Sequence, residues 1–356
     1  MRSTADRIWR AATLGSDVPR GACSVRVHSV FHAALNLSLP DGDLLTLLSA
    51  EADDLPRSVR LASMEDFSSL GLAAGDGGVF AVDEIVLERS TGRGRLRVDC
   101  AAALRLAAPP APRLRLDCGR WRAGVARLES LQERAATDLR IAPLLIGARP
   151  SGAMAERLTR AALDLGRGVR TGRLDVVRGA TARLVGLGQG LTPAGDDFLC
   201  GFLVAGRCRC AASLARSRLL ASLAEVVRER LEQTTDISAS FLRDALAGRV
   251  SRPLAALAEA CSGAPGSDLG GALLRLAAIG HSSGLDAATG FFYGLTIWAD
   301  AARRVAGAPT GSLSKNGTTG LRLRRVVGAP AERQSGAADP APQERRERVG
   351  SNGDRA

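Results

Sequence analysis

The residues best suited to chemistry lie in three short polar segments of the second half of the chain. The first is Gly186-Leu187-Gly188-Gln189-Gly190-Leu191-Thr192-Pro193-Ala194-Gly195-Asp196-Asp197. Glycine at every second position from 186 to 190 lets the backbone reach positive φ and approach a ligand closely. The apolar run that follows (Phe198, Leu199, Phe202, Leu203) starts a helix. A helix N-terminus presents unpaired N–H groups and a positive dipole end to an anion. Two acids follow the loop, although one would suffice as a cap. Two readings stay open: a tight turn capped by Asp196 or Asp197, or a ligand loop in which these carboxylates also hold Mg²⁺ beside a phosphate. The segment is not a Walker loop, because no Lys follows the glycines and the single Lys of the chain is Lys315. A helical pattern precedes it, which argues against a dinucleotide fingerprint.

The second segment, Thr234-Thr235-Asp236-Ile237-Ser238, reads by itself as a capped helix start. The third is Gly280-His281-Ser282-Ser283-Gly284-Leu285-Asp286. Its Gly280-x-Ser282-x-Gly284 fits the nucleophile elbow of serine hydrolases only superficially: no His follows Ser282, and the preceding segment looks helical rather than extended. The alternatives are a capped turn, or a second helix start where His281, Ser282 and Ser283 offer donors and Asp286 sits in the first turn. Three positive helix ends brought together would repel unless an anion lay between them, so convergence would mark an anion site. On that reading Asp196, Asp197 and His281 are the catalytic candidates, with His281 as oxyanion donor or general acid/base. Gly188, Gly190, Thr192, Gly195, Thr234, Thr235, Ser238, Ser282 and Ser283 are the substrate-binding candidates.

The elements that must position these residues fall into two halves. Alternation at Val25, Val27, Leu35, Leu37 and Leu39, with turn signals at Pro40-Asp41-Gly42-Asp43 and Gly75-Asp76-Gly77-Gly78, predicts strands from about residue 20. The spacing predicts one strand over Val79–Leu87, a hairpin loop at Thr91–Gly94, and a partner strand over Leu96–Leu106; residues 1–20 read as a short amphipathic start. Pro109-Pro110-Ala111-Pro112 marks an exposed connection. After Trp121 the period becomes helical, with segments at 125–139, 154–167, 174–185, 214–233, 237–247, 254–261, 269–279 and 287–305. The expected class is α+β: a β-rich domain over 1–122, an all-helical domain over 123–307, and a disordered tail over 308–356.

Composition removes several function classes. Aromatics make up 3% of the 356 residues, which suits Leu/Ala-rich helices better than a large β-sandwich. The net charge of +11 comes from 48 basic residues, all but one of them Arg, a ratio that looks like codon bias. No basic stripe with aromatic platforms accompanies it, so nucleic-acid binding is not expected. The apolar run Ala287–Ala299 is too short for a bilayer, which needs roughly 20 residues. Seven irregularly spaced Cys and no signal-peptide pattern predict a reduced, cytoplasmic protein.

The run Gly188 to Leu199 closely resembles the GxGLTPxGDDFL signature of the AllH-like family. Gly280–Asp286 matches that family's GHSSGxD segment, and Thr234–Leu242 its TTxISxxxL segment. His28–Leu37, with Ser29, Phe31 and Asn36, is similar to its N-terminal stretch. The resemblance covers about residues 20–305. Members commonly carry Pro where Gln189 stands and Ser where Ala194 stands; the first departure loosens the turn and the second removes a hydroxyl. Many members bear only a domain-of-unknown-function label, and the named one is a subunit of oxamate carbamoyltransferase in allantoin degradation. The resemblance therefore implies a carbamoyl-transfer subunit that binds small anions such as carbamoyl phosphate and oxamate. It further implies activity with FdrA-like and AllG-like partner subunits; no cofactor is fixed, and Mg²⁺ on Asp196 and Asp197 stays open from the residues themselves. The alternative from another class is a non-catalytic metabolite-binding or assembly subunit.

The tail from Ala308 is rich in Gly, Pro, Ser and charge, and it cannot bury enough apolar surface to offset its chain entropy. A chain ending at Gly307 is expected to melt at the same temperature as the full chain. A drop of several degrees in a thermal melt would show that the tail packs.

Overall fold

The computed structural model describes residues 8–90, 95–107, 118–134, 150, 152–210 and 213–305. The tail expected from 308, the Pro109–Pro112 connection and the 91–94 loop lie outside them. Strands fill the N-terminal part: β1 (Ile8–Leu14), β2 (Cys23–Val30), β3 (Ala34–Ser38), β4 (Leu44–Leu48), β5 (Ser58–Leu61), β6 (Gly77–Phe80), β7 (Glu84–Glu88), β8 (Arg95–Asp99) and β9 (Leu104–Arg105). Their order is β5-β4-β3-β2-β6-β7-β8-β1-β9, and a further β1–β5 pairing closes the first eight strands into a barrel. Closure pairs the edge strands β1 and β5 with each other, and the two-residue β9 adds on to β1 at the end of the order. Leu35, Leu37, Leu45, Leu47, Phe80, Ile85, Leu87 and Val98 fill the barrel core.

Three expectations for this half are corrected. The strand expected over Leu96–Leu106 is two, β8 and β9, broken at 100–103, and β9 pairs with β1 rather than with β7. Residues 8–14 are not a loose amphipathic start. Trp9 and Ala11 are buried at alternate positions, and the segment pairs in parallel with β8 and antiparallel with β5, so it is the strand that closes the barrel. The single strand expected over 79–87 is a hairpin. Phe80 pairs with Ile85, and Ala81 and Glu84 exchange backbone hydrogen bonds around Val82-Asp83. The apolar tally over that run is right for strands; the reversal at 81–83 lacks a glycine that would announce it.

The helical half contains α1 (Cys118–Arg134), α2 (Ala153–Thr171), α3 (Leu174–Leu184), α4 (Ala194–Cys210), α5 (Leu214–Glu229), α6 (Asp236–Ala247), α7 (Arg252–Ser262), α8 (Leu269–Ala277) and α9 (Ser283–Val305). The α+β class is thus as expected. Barrel and helices belong to one compact unit. At its centre α4 packs on α9. Gly290 lies against Phe198, Gly294 against Phe202 and Ala205, and Gly206 against Trp298. Contacts advance in the same direction along both helices, so the pair runs parallel with its N-termini side by side. A Cβ on Gly201 would clash with the Ala287 carbonyl, and one on Gly290 with that of Phe198. Phe198, Phe202, Tyr293 and Trp298 stack around the same seam with ring centroids 5.6–6.2 Å apart.

The barrel meets the helices through β3 and β4. All five residues of β4 are buried, because Leu45 and Leu47 point into the barrel while the other face is covered by helices. Charged groups tie the rim. Arg57 pairs with Asp43 and, at 3.7 Å, with Asp244 of α6; Arg249 reaches Asp244 and Asp17, each at 3.2 Å. Burial pushes the Asp244 carboxyl up to about 6 although both guanidinium groups oppose the rise.

The seam gives a paired test. Gly290→Ala is expected to cost about 1–3 kcal/mol by overpacking. Gly179→Ala, inside α3 with only the flexible Arg183 side chain within 4 Å, should gain about 0.5–1 kcal/mol from helix propensity. Denaturant melts of both variants check this; equal effects would show that the seam is not close-packed.

Candidate functional site

The first segment is built by its glycines. Gly186, Gly188 and Gly190 have φ of 69°, 144° and 87°. A Cβ on Gly188 would lie 2.5 Å from the Ala194 nitrogen, so the chain folds tightly back on itself there. Gly190 needs its conformation but has open space around it. Gly195 allows the close approach of the Leu184 carbonyl, and its N–H donates to the Leu187 carbonyl at 2.8 Å. Gly195 is thus a packing residue at the α3–α4 turn.

Asp196, fully buried in the first turn of α4, joins this segment to the second. Its Oδ1 accepts the Gly186 N–H at 2.8 Å, and its Oδ2 accepts the hydroxyls of Thr234 at 2.5 Å and Ser238 at 2.8 Å. Burial raises this carboxyl, and the three hydrogen bonds oppose the rise. Thr235 caps α6 by accepting the Ser238 N–H at 3.1 Å, and its hydroxyl donates to the Leu191 carbonyl at 2.5 Å. The second segment is therefore a capped helix start and also a strut for the first.

Asp197 joins the first segment to the third. The Thr192 and Ser283 hydroxyls lie 2.6 Å apart, and both bond the Asp197 carboxyl. Asp197 is 7% exposed, and its Oδ2 has no hydrogen-bond partner. Burial pushes it well above the ordinary carboxylate value; the negative charge of buried Asp286, in the first turn of α9, adds to this. Parallel packing of α4 and α9 puts the two acids together.

Asp197, Thr192 and Ser283 stand in the wall of a cavity of about 360 Å³ between barrel and helices. Asn36 and Thr46 face it from the barrel and Asp244 from α6; Phe31, Leu48, Phe241 and Leu254 supply apolar wall. Of the other candidates, Gly188, Gly190, Gly195, Asp196, Thr234, Thr235, Ser238 and Ser282 do not line it. His281 is exposed and likewise lies outside the lining. Asn36 and Thr46 were not singled out for the site by the sequence reading. Each is a polar residue inside an apolar run (Leu-Asn-Leu, Leu-Thr-Leu), and the two are direct register partners in β3 and β4. Thr46 donates to Asn36 Oδ1 at 2.8 Å, and Asn36 donates to Ser29 at 3.0 Å. Ser29 lies 3.0 Å from His28 Nδ1, and His28 Nε2 lies 3.1 Å from Asp236 at the start of α6. This chain of contacts links the cavity wall to the barrel–helix rim.

As a metal ligand Asp196 fits poorly. The Asp196 oxygens are engaged by three donors, and among the described residues no group of three or more His, Cys, Asp or Glu is arranged to hold an ion. Among the same residues, no helix is long and apolar enough to cross a membrane.

A closed barrel docked on a helical half, with buried acids at a junction cavity, defines a two-part α+β protein whose candidate site lies where the parts meet. Residues 7–105 match the AllH family N-terminal domain, and residues 184–295 match the family described as oxamate carbamoyltransferase subunit AllH. The chain belongs to the AllH family, whose description as a subunit implies partner subunits. No curated protein and no solved structure gives a significant match.

Asp197 has a signed pH effect on stability. The folded chain holds its proton more tightly than the unfolded chain, so stability falls as pH rises from the ordinary value of 3.8 to the raised folded value. Asp197→Asn should raise stability at neutral pH, with the gain vanishing toward pH 4. Melts at the two pH values check this; a loss at neutral pH would mean that the charge is compensated.

Proposed function

We propose that the chain is a subunit of a carbamoyltransferase-type enzyme similar to oxamate carbamoyltransferase, and that Asp197 acts in the transfer. The observation that carries this reading is a buried carboxyl with one oxygen unpartnered, held by two hydroxyls in the wall of a cavity. A carboxyl raised in this way can take up a proton nearer the pH at which enzymes work. In the proposed reaction the acceptor nitrogen attacks the carbamoyl carbon of carbamoyl phosphate. The N–C bond forms, the C–O bond to phosphate breaks, and phosphate departs with the electron pair. The proton lost by the nitrogen goes to Asp197. Thr192 and Ser283 hold the carboxyl in place. His281, exposed and outside the lining, has no part in this scheme.

The second reading, a non-catalytic metabolite-binding or assembly subunit, is favoured by one feature. Among the described residues, none that lines the cavity is Arg, Lys or His, so that lining offers a phosphate no cation. Under the catalytic reading, FdrA-like and AllG-like partner subunits would supply the phosphate-binding charges.

The test is phosphate release from carbamoyl phosphate with oxamate, by the chain reconstituted with such partners. Asp197→Asn should lower kcat by roughly 10²-fold or more while the complex elutes unchanged from a sizing column. Full activity in that variant would leave only the assembly reading.

A further inference from the structure

Phenylalanine is scarce in this chain, and most of it fills the two cores. Six of the eight, Phe67, Phe80, Phe198, Phe202, Phe291 and Phe292, are fully buried there. The other two, Phe31 and Phe241, are half-buried, and both line the cavity between barrel and helices. Neither belongs to the barrel core or to the helical core, and the same holds for Leu48, Leu55 and Ile237 of the same wall. Five large apolar side chains, from the β2–β3 turn, β4, the segment before β5 and α6, thus face one space. Side chains left in this way keep apolar surface that a close-packed core would remove from water.

Polar side chains of the wall are already engaged by the protein. Thr46 donates to Asn36, and Asn36 donates to Ser29. The Thr192 and Ser283 hydroxyls meet each other and the Asp197 carboxyl, whose unpartnered Oδ2 is itself buried. Arg57 and Arg249 face Asp244 from the rim and offset its charge. A polar group brought in from water gives up hydrogen bonds that these engaged residues do not replace, whereas an apolar group gains by entering. The volume of about 360 Å³ is roughly twice the ~150 Å³ of an apolar cavity that takes benzene, which is room for about a dozen carbon atoms. Leu191 and Gly280 of the lining are exposed, and they mark where it reaches the surface.

We infer that the cavity between barrel and helices binds an uncharged apolar body, alkyl or aryl, of up to about a dozen carbon atoms, which completes the packing of Phe31, Leu48, Leu55, Ile237 and Phe241. Affinity then comes from the apolar wall, and a charged end of the same ligand keeps its water at the Leu191–Gly280 mouth. The inference goes beyond the transfer reading and does not rest on it, because it concerns the body of the ligand and not the chemistry at Asp197.

Calorimetric titration of the full chain tests this, with 1-butanol, 1-hexanol and 1-octanol as alkyl probes and indole as an aryl probe. Octanol should saturate at one molecule per chain, and affinity along the alcohols should rise roughly fourfold for each added CH₂ group. Ala34→Phe, which fills the cavity from β3, should abolish octanol binding while a thermal melt shows a folded chain. Phe241→Ser, at a half-buried position outside both cores, should weaken octanol binding at least about tenfold. Leu214→Ser, at a side chain 71% exposed on α5 and outside the lining, should leave it unchanged. If Ala34→Phe does not fold, the contrast between Phe241→Ser and Leu214→Ser decides the matter. No saturable binding of octanol or indole, affinity indifferent to chain length, or octanol binding indifferent to Phe241→Ser each overturns the proposal. Phosphate release by the reconstituted complex is read separately. Transfer to oxamate without octanol binding by this chain would sink this inference and leave the proposed function standing; octanol binding without transfer would do the reverse.

Discussion

Two helices that run parallel in close contact set their positive ends side by side, each equivalent to roughly half a charge. In this chain α4 and α9 do so because Gly201, Gly290 and Gly294 remove the side chains that would hold them apart. The repulsion between the two ends is met by acids in their first turns, Asp197 on α4 and Asp286 on α9. Burial, and after it the negative charge of Asp286, makes Asp197 keep its proton more tightly than an exposed acid would. The chemistry available at the site follows from this arrangement. Without the glycine seam, the two acids would sit on separated helix ends and behave as ordinary caps.

Asp196 shows how neighbouring residues of one type take different roles. It is turned toward the α3–α4 loop and α6, where a backbone N–H and two hydroxyls surround it. These donors make it a bracket that fixes the Gly-rich loop to the start of α6. Asp197, one residue on, faces the α9 side of the same helix and finds two hydroxyls and another acid. The 100° step between consecutive helical residues is enough to separate a bracing carboxyl from one in the cavity wall.

The barrel contributes the far wall of the cavity and the means of holding it in place. Its β4 strand is buried on both faces, so it serves two cores at once. The Asn36–Thr46 pair puts a polar spot on an otherwise apolar surface, and the chain through Ser29 and His28 to Asp236 ties that spot to the helix that Thr235 caps. Charged pairs around Asp244 close the rim. The cavity thus depends on how the two halves are docked, and neither half alone would enclose it.

Much of this was legible in the sequence. The change of hydrophobic period near Trp121 separated strands from helices, and the positive φ of Gly186, Gly188 and Gly190 follows from their spacing before a helix start. The family signature in 188–199 and 280–286 marked the loops that meet. Local pattern failed where the deciding partner was distant in the chain. Ile8–Leu14 is a strand because β5 and β8 flank it, and the reversal at Val82-Asp83 is held by strand pairing rather than by turn residues. Which Asp is a bracket and which lines a cavity, and where His281 stands, depended on the docking of α4, α6 and α9. Those placements are set by side chains and glycines tens to hundreds of residues apart. Sequence alone determined which groups are available and which backbone conformations they require; tertiary packing decided which of them are desolvated together, and desolvation is what lifts a capping acid above the ordinary carboxylate value.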